Sequence, residues 1–422
     1  MNTRSSQPIH PIAPPSAEQL SALRRMTLQC LRHFPTYQRI FRDAGITHGH
    51  IESGDPLEVL RSLPIIGADE LRRISMEAVS AIDTIVDTET SSGTTSGGKI
   101  RFISYEDDAA EHQFLAGLLR TCGIGPDDRV ACLDTDPAAV MISFPRACEL
   151  VPTTESYCVS TGAGFERSLQ LLSRLEPTAL VSVPSIIEKT LDAALESTSP
   201  IPRTIRRVIY IGEGMDAALR RRVQEALDAE VFSYYGSSET SALGIECAAH
   251  SGIHLFGSRT LFEVERDRNA PDRGELIVTT LVQRSLPLLR YRLGDLVRMR
   301  PGACACGLDE PRIDVLGRSE MFASILGSKI HHHSIHESLA RVGLTGPLRI
   351  VLENAGGSEI MRLRVSDHNS RIEELLLRAV LEDHQDVEFL RDSGLLDVRI
   401  ELRPSSALLR DRKPNRLTDL RS

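Results

Sequence analysis

Arg207-Val-Ile-Tyr-Ile-Gly-Glu-Gly214 is a short apolar run that ends in a glycine-rich turn. Two similar runs precede it, Val130-Ala-Cys-Leu133 and Ala179-Leu-Val-Ser-Val183, with helix-like stretches between them. Short apolar runs that alternate with helical stretches at this spacing are typical of a parallel α/β sheet. A Gly-rich turn from strand to helix often lets a ligand approach the backbone closely, so residues 212–214 are a candidate binding site. A plain tight turn has the same composition.

The pattern changes on both sides of this α/β region. Residues 17–44 carry apolar positions at helical spacing, and Pro35 interrupts them. Residues 253–300 hold several short β-like runs separated by turn clusters, which indicates a β-rich subdomain. A chain of 422 residues exceeds one typical core. We predict a large N-terminal domain of residues 1–316, with parallel α/β sheets and the β-rich subdomain, and a small α+β C-terminal domain of residues 317–422.

Composition excludes several classes of protein. The formal net charge is -9, so no global basic field recruits nucleic acid or an acidic membrane. No segment reaches the roughly 18 apolar residues that a membrane helix needs. Residues 1–16 are polar and Pro-rich, and they lack the apolar core of a signal peptide. Eight scattered cysteines in such a chain favour reduced thiols in a cytoplasmic protein over a disulfide framework.

The loop Ser91-Ser-Gly-Thr-Thr-Ser-Gly-Gly-Lys99 has the composition of a phosphate site. Glycines let backbone N–H groups turn toward an anion, hydroxyls add donors, and a lysine adds a point charge. A flexible Ser/Gly loop is the alternative, and the order of a Walker A loop is missing. The residues that we assign to phosphate binding are Ser91, Ser92, Gly93, Thr94, Thr95 and Lys99.

Five segments in order resemble the motifs of the adenylate-forming superfamily of acyl-CoA synthetases. They are the loop 91–99, Tyr235-Gly-Ser-Ser-Glu239, Tyr291-Arg-Leu-Gly-Asp295, Gly317-Arg318 and Lys413. Further phrases are similar to the phenylacetate-CoA ligase-like branch, and the resemblance covers most of the chain. Those phrases are Phe34-Pro-Thr-Tyr-Gln-Arg-Ile-Phe-Arg42, Ser62-Leu-Pro-Ile-Ile66 and Gly274-Glu-Leu-Ile-Val-Thr-Thr-Leu281.

The resemblance implies four roles around a bound ATP. Glu239 is implied as the Mg²⁺ ligand, and Asp295 as the acceptor of ribose hydroxyls. Arg318 is implied as a hinge-region cation that reaches ribose or phosphate. Lys413 is implied as the catalytic lysine, which stabilises charge in the transition state when the domain 317–422 closes as a mobile lid. The alternatives are a surface Glu, an ordinary Asp in a turn and a solvated basic tail.

The resemblance also places Gly212, Glu213 and Gly214 beside the adenine, with Tyr234 or Tyr235 stacking nearby. Tyr234 equally suits a core position. Gly236, Ser237 and Ser238 complete the nucleotide-binding set. Leu293 replaces the usual Thr of its motif, and the segments 319–321 and 326–333 depart from the branch. These departures leave the details of the thiol half-reaction open.

A second metal is expected at a cysteine-rich pair of loops. Cys304-Ala-Cys306 offers two thiols, and Cys247 lies near His250 and His254. Four such ligands from two loops fit tetrahedral Zn²⁺, and some members of the branch carry a structural site of this kind. The two histidines compete for the fourth place. Two reduced thiols and a satisfied histidine are the alternative.

The sequence therefore predicts an ATP-dependent, AMP-forming acid–thiol ligase. The resemblance suggests an aryl or arylacetic acid as the small carboxylic acid substrate and coenzyme A as the acceptor, with the pantetheine arm of a carrier protein as a competitor. A nucleotide-binding homologue with a decayed site is an alternative. A dinucleotide oxidoreductase would need a Gly-x-Gly-x-x-Gly fingerprint, which we do not find near the N-terminus. The oligomeric state stays open, a homodimer among the options.

Overall fold

The computed structural model describes residues 9, 11–90, 100–134, 139–153, 155–197, 199–267, 270–318, 322–325, 328–344, 346–355, 358–366, 372–404, 408 and 416–420. Their helices are α1 (Ala17–His33), α2 (Pro35–Asp43), α3 (His48–Ser53), α4 (Pro56–Ser62), α5 (Ala68–Ala81), α6 (Tyr105–Thr121), α7 (Ala139–Leu150), α8 (Phe165–Leu175), α9 (Pro184–Glu196), α10 (Ala217–Leu227), α11 (His332–Arg341), α12 (Glu373–Asp383) and α13 (Gln385–Asp392).

Their strands are β1 (Ile85–Thr90), β2 (Ile100–Ser104), β3 (Arg129–Asp134), β4 (Glu155–Ser160), β5 (Ala179–Ser182), β6 (Arg207–Tyr210), β7 (Glu230–Ser237), β8 (Ser241–Glu246), β9 (Ile253–Leu255), β10 (Thr260–Arg266), β11 (Arg273–Thr280), β12 (Tyr291–Arg300), β13 (Arg312–Arg318), β14 (Phe322–Ile325), β15 (Ser328–His331), β16 (Leu348–Ala355), β17 (Ser358–Ser366), β18 (Leu396–Arg403) and β19 (Arg416–Asp419).

The N-terminal helices follow from local sequence signals. Ser16 caps α1 by accepting from the N–H of Gln19, whose side chain accepts from the N–H of Ser16. Such a reciprocal capping box satisfies two amide donors at the start of a helix. Pro35 is the first residue of α2, where a missing N–H costs nothing. The predicted break at Pro35 therefore separates two helices.

Among the described residues, eleven strands form one sheet in the order β10-β11-β12-β13-β9-β8-β7-β6-β5-β3-β4. Strands β3 to β7 pair in parallel, with α7 to α10 in their connections, as the alternating runs predicted. The residues of the inner strands β3, β5 and β6 are buried at almost every position, which is typical of strands covered on both faces. The antiparallel pairing of β7 with β8 begins the predicted β-rich part.

A hairpin of β1 and β2 lies outside this sheet, and its strands flank residues 91–99. Helix α6 follows β2 directly, and its N-cap Ser104 accepts from the N–H of Asp107. Three acidic residues in the first turn of α6 favour this helix end electrostatically. Residues 91–99, the predicted phosphate loop, lie outside the described residues. The strands on either side of them, β1 and β2, pair with each other in a defined register.

The described chain divides into two compact units. The first contains residues within 1–215, 219–293 and 297–315, and the second contains residues within 216–218, 294–296 and 316–422. In the second unit, β18-β17-β16-β19 form a sheet, and buried side chains of α11, α12 and α13 pack on one of its faces. Within the described part of the chain, none of the helices has the length and apolarity needed to cross a membrane.

Candidate active site

The turn between β7 and β8 carries Glu239, whose side chain is buried with a residue exposure of 6%. The turn is closed by the N–H of Thr240, which donates to the carbonyl of Ser237 at 3.2 Å. The hydroxyls of Ser237 and Thr240 are also 3.0 Å apart. This short turn therefore carries one carboxylate and two hydroxyls, and these are the hard oxygen donors that Mg²⁺ prefers.

Two side chains hold Glu239: Gln283, which precedes β12, and Tyr291, the first residue of β12. The hydroxyl of Tyr291 donates to Oε1 of Glu239 at 3.4 Å. The side-chain amide of Gln283 donates to the backbone carbonyl of Glu239 at 2.8 Å, and Gln283 is itself buried. The motifs at 235–239 and 291–295 are thus joined by a hydrogen bond inside the first unit.

The tyrosines before Glu239 have different surroundings. Tyr235 is buried in the hydrophobic cluster of the N-terminal helices and the β-rich strands. The ring of Tyr234 packs edge-on against Phe144, with centroids 5.6 Å apart. Burial, and then the nearby carboxylates Glu89 and Glu111, raise the pKa of the Tyr234 hydroxyl. Tyr235 therefore serves the core, and Tyr234 stays a neutral phenol at physiological pH.

The glycine-rich turn after β6 has the backbone that its sequence predicts. Gly212 has a φ of 76°, a left-handed conformation that favours glycine. The carboxylate of Glu213 accepts from the N–H and the hydroxyl of Ser185, both at 3.1 Å, in the first turn of α9. Burial raises the pKa of Glu213 despite these bonds. The Glu213 side chain thus holds two connections of the α/β sheet together.

Asp295 and Arg318 lie together in the second unit. Nε of Arg318 is 3.2 Å from Oδ1 of Asp295, and Asp295 is buried. A buried carboxylate beside a half-exposed guanidinium offers an acceptor and a donor at one place. The predicted phosphate residues Ser91, Ser92, Gly93, Thr94, Thr95 and Lys99, and the predicted catalytic Lys413, lie outside the described residues.

Four candidate metal ligands lie together in the first unit, on the loop after β8, on β9 and on the loop between β12 and β13. The ligand atoms of Cys247, His254, Cys304 and Cys306 all lie within 4.8 Å of one another. Sγ of Cys247 is 3.6 Å from Sγ of Cys304, and Sγ of Cys306 is 3.4 Å from Nε2 of His254. Zn–S bonds of about 2.3 Å place tetrahedral ligands just under 4 Å apart, so the spacing fits zinc.

The second ring nitrogen of His254 also has the surroundings expected of a metal-binding histidine. Nδ1 lies 3.2 Å from the carbonyl of Glu310, which leaves Nε2 facing the three thiols. A metal-binding histidine usually donates its other ring N–H to such a partner. The backbone N–H of Cys306 lowers the pKa of Cys304 to about 6, although burial acts in the opposite direction. The lowered pKa favours the thiolate form that a metal needs.

His250 lies with charged groups instead of the thiols. Its Nδ1 is 3.1 Å from a guanidinium nitrogen of Arg220 and 3.5 Å from Oε1 of Glu246. Arg220 in turn pairs with Glu246 at 2.9 Å. Of the two histidines that competed for the fourth ligand place, the structure therefore brings His254 into the cluster and His250 into an ion network.

Comparison with known proteins identifies the relatives of this chain. Residues 137–258 match the family model described as AMP-binding enzyme. The chain is 25% identical to the phenylacetate-coenzyme A ligase of Escherichia coli (strain K12), over 79% of this chain and 79% of that protein. Over residues 137–258 the chain is similar to the AMP-binding enzymes. The phenylacetate-coenzyme A ligase of Thermus thermophilus is also 25% identical, over 83% of this chain and 80% of its own length.

A solved structure shares the fold of this chain. A crystal structure of 2-hydroxyisobutyryl-CoA ligase in complex with 2-HIB-AMP matches with a TM-score of 0.72 and 21% identity. The match covers 93% of this chain and 87% of that chain. Both predictions, the α/β fold class and the resemblance to adenylate-forming enzymes of the phenylacetate-CoA ligase-like branch, are confirmed.

Sequence reasoning missed several residues around Glu239. Arg101 in β2 is buried and reaches the carbonyl of Ser238, while Gln283 reaches the carbonyl of Glu239. Neither belongs to a quoted motif. A signal was present for Arg101, because a lone arginine two residues after Lys99 in an apolar strand needs a buried carboxylate partner.

Proposed function

We propose that this protein activates a small carboxylic acid with ATP to an acyl-adenylate and transfers the acyl group to a thiol. The observation that carries the proposal is the hydrogen bond between Tyr291 and Glu239. It joins two motifs of a chain that matches phenylacetate-coenzyme A ligases over about four-fifths of its length. A carboxylate held in this way is prepared for a metal–nucleotide complex.

In the first step, a carboxylate oxygen of the substrate attacks the α-phosphorus of ATP. The bond between the α-phosphorus and its bridging oxygen breaks, and pyrophosphate leaves. Magnesium, when bound, offsets the negative charge of the phosphates. Glu239 would hold that ion, and residues 91–99 with Lys99 would donate to the phosphates.

Asp295 and Arg318 would serve the ribose end of the nucleotide. Asp295 can accept from both ribose hydroxyls, and its carboxylate pairs with the guanidinium of Arg318. Lys413 would bring a cation to the carboxylate and the α-phosphate, where two anions approach each other. In the second step, the thiol sulfur attacks the acyl carbonyl, AMP leaves, and the thiol proton passes to solvent or AMP. We propose that residues 317–422 move as a lid between the two steps.

We propose coenzyme A as the acceptor and an aryl or arylacetic acid as the substrate, because the matched relatives are named phenylacetate-coenzyme A ligases. Ser143-Phe-Pro-Arg146 and Tyr157-Cys-Val159 do not resemble the Gly-rich equivalent of that branch, so the acid itself needs direct measurement. The pantetheine arm of a carrier protein is the second acceptor that we test.

We also propose a structural Zn²⁺ held by Cys247, His254, Cys304 and Cys306. Three thiols and one imidazole leave no open position for water, which distinguishes a structural site from a catalytic one. The ion would clamp the loop after β8 to the loop between β12 and β13. Its bond energy would then contribute to the stability of the β-rich part of the first unit.

The decisive experiment is ATP–pyrophosphate exchange across benzoic, arylacetic, heteroaromatic and fatty acids, followed by addition of coenzyme A or a carrier protein. We expect exchange with at least one acid and thioester with one acceptor. Nucleotide binding without exchange for any acid would favour a decayed homologue. Glu239→Gln is the matched inactive control, since it preserves shape and removes the charge.

A further inference from the structure

A buried cation joins the hairpin of β1 and β2 to the turn that carries Glu239. Arg101 lies directly opposite Glu89 in the hairpin register and is 2% exposed. Its Nη1 donates to Oε2 of Glu89 at 3.2 Å and to the carbonyl of Ser238 at 3.4 Å. Its Nη2 donates to the carboxylate of Glu111 on α6. One guanidinium therefore connects three separate segments.

A second contact holds the same turn from the loop between β11 and β12. Gln283 donates to the carbonyl of Glu239, and the next two residues are anchored to α6. The N–H groups of Arg284 and Ser285 donate to the carboxylate of Asp107, each at 2.8 Å to its nearer oxygen. The Ser285 hydroxyl donates to the same carboxylate.

Both contacts lead back to one face of one helix. Asp107 and Glu111 are four residues apart on α6, so they lie one above the other. Through Arg101 and Gln283 they fix the successive carbonyls of Ser238 and Glu239. Helix α6 follows β2, so the element that fixes Glu239 is continuous with the hairpin that flanks residues 91–99.

The charges around Arg101 show why another side chain is a poor substitute. Glu89 and Glu111 both face its guanidinium, and Arg259 approaches Glu111 at 3.9 Å. Loss of the Arg101 cation would leave the buried carboxylate of Glu111 and the partly buried carboxylate of Glu89 with one distant partner, which is costly. A lysine at position 101 would place a single ammonium group where the planar guanidinium of Arg101 now donates to three acceptors.

We propose that Arg101 and Gln283 are positioning residues that hold Glu239 in place for a metal–nucleotide complex. They act through the Ser238 and Glu239 carbonyls, and Arg101 also ties the turn to the flanks of the 91–99 loop. This inference rests on the proposed function. It adds that one network, centred on the buried Arg101, connects the turn that carries Glu239 to the two strands on either side of residues 91–99.

The test is binding of ATP to the full chain, with Mn²⁺ as the probe ion and, separately, with EDTA. Gln283→Met removes the amide donor at similar volume, so we expect the dissociation constant of Mn²⁺–ATP to rise about tenfold, the size of one buried hydrogen bond. Metal-free ATP binding should change less than threefold. Arg101→Gln should weaken binding in both conditions, because it touches both the turn and the hairpin.

Gln19→Met is the matched control. The Gln19 amide also donates to a backbone carbonyl, that of Gly257 at 2.7 Å, but this carbonyl belongs to the loop between β9 and β10 and not to the turn that carries Glu239. Gln19→Met should leave both dissociation constants unchanged. Because the selective loss of metal-dependent binding is the diagnostic readout, a variant that merely unfolds more easily cannot imitate it.

The two possible failures are distinguishable. If the unaltered protein binds Mn²⁺–ATP and Gln283→Met binds it equally well, the positioning role is overturned and the proposed function stands. If the unaltered protein binds no nucleotide under either condition, the proposed function is overturned and this inference with it. Should Arg101→Gln fail to fold, Gln283→Met alone gives the answer.

Discussion

The Tyr291 hydroxyl donates to Oε1 of Glu239 across 3.4 Å, although the two residues are 52 positions apart in the chain. Both are buried, so solvent does not compete for the bond. The bond connects a carboxylate in the turn between β7 and β8 to the first residue of β12. This hydrogen bond links two sequence motifs, and a Tyr291→Phe substitution removes it by deleting one oxygen atom.

Glu239→Gln should abolish most acyl-adenylate formation, because a neutral amide cannot hold a divalent cation beside phosphates. We expect a loss of at least a hundredfold in ATP–pyrophosphate exchange, about 3 kcal/mol. Tyr291→Phe should cost only about three- to tenfold, because the carboxylate remains and loses one orienting bond. Equal losses in the two variants would contradict the separate roles assigned here.

Zinc content should depend on Cys306 and not on His250. Cys306→Ser removes an exposed ligand with little effect on packing, and we expect the metal content to fall well below one Zn²⁺ per chain by elemental analysis. Unfolding should then occur several degrees lower, because lost binding energy is lost folding energy.

Two controls accompany that prediction. Cys158→Ser removes an exposed thiol outside the cluster, and His250→Ala removes the histidine of the Arg220 ion network. Both should retain stoichiometric zinc. Zinc loss in His250→Ala with retention in His254→Ala would reverse the ligand assignment.

Lys413→Ala should reduce the first half-reaction far more than the second. We expect adenylate formation to fall at least a hundredfold, while a supplied acyl-adenylate is still converted to thioester, because the lysine charge matters where two anions meet. Single-turnover assays of each half-reaction measure this split. Lys189→Ala on α9 is the control, and an adenylation rate in Lys413→Ala equal to that of the unaltered protein would remove Lys413 from the mechanism.

The stability of the second unit should fall in acid through Glu401. Burial would raise the pKa of Glu401, but hydrogen bonds from Arg364, Arg362 and Arg403 outweigh it and lower the pKa from 4.5 to about 2. A depressed folded-state pKa stabilises the fold above pH 4.5, and the stabilisation is lost as pH falls toward 2.

Glu401→Gln should therefore destabilise the β17–β18 pairing at pH 7 by about 1 kcal/mol after allowance for solvent screening. Its difference from the unaltered protein should shrink as pH falls below 4.5. Amide hydrogen exchange in β17 and β18 of the full chain measures the difference at each pH. Glu388→Gln on α13 is the control, and a pH-independent difference for Glu401→Gln would refute the linkage.

Much of the fold was predictable because its signals are local. Alternation of apolar runs and helical stretches predicted β3, β5 and β6, and the β-like runs between turn clusters after residue 253 predicted a β-rich part without its pairing. Hydrophobic periodicity and capping depend on neighbours within a few residues, so the chain states them directly. The site was predictable only as a set of motifs in order.

Which side chains meet was decided by tertiary structure. Tyr291 with Glu239, Arg101 with Ser238, and His254 instead of His250 with three cysteines are contacts between segments far apart in the chain. They depend on which strands become neighbours in the sheet, and on which face of β9 turns toward the loop at 304–306. The sequence by itself determined the ligand types and the elements that carry them. Packing of the whole sheet decided the partners. Both candidate ligands are histidines, so residue type does not distinguish them, but the fold places His254 beside the thiols and His250 beside Arg220.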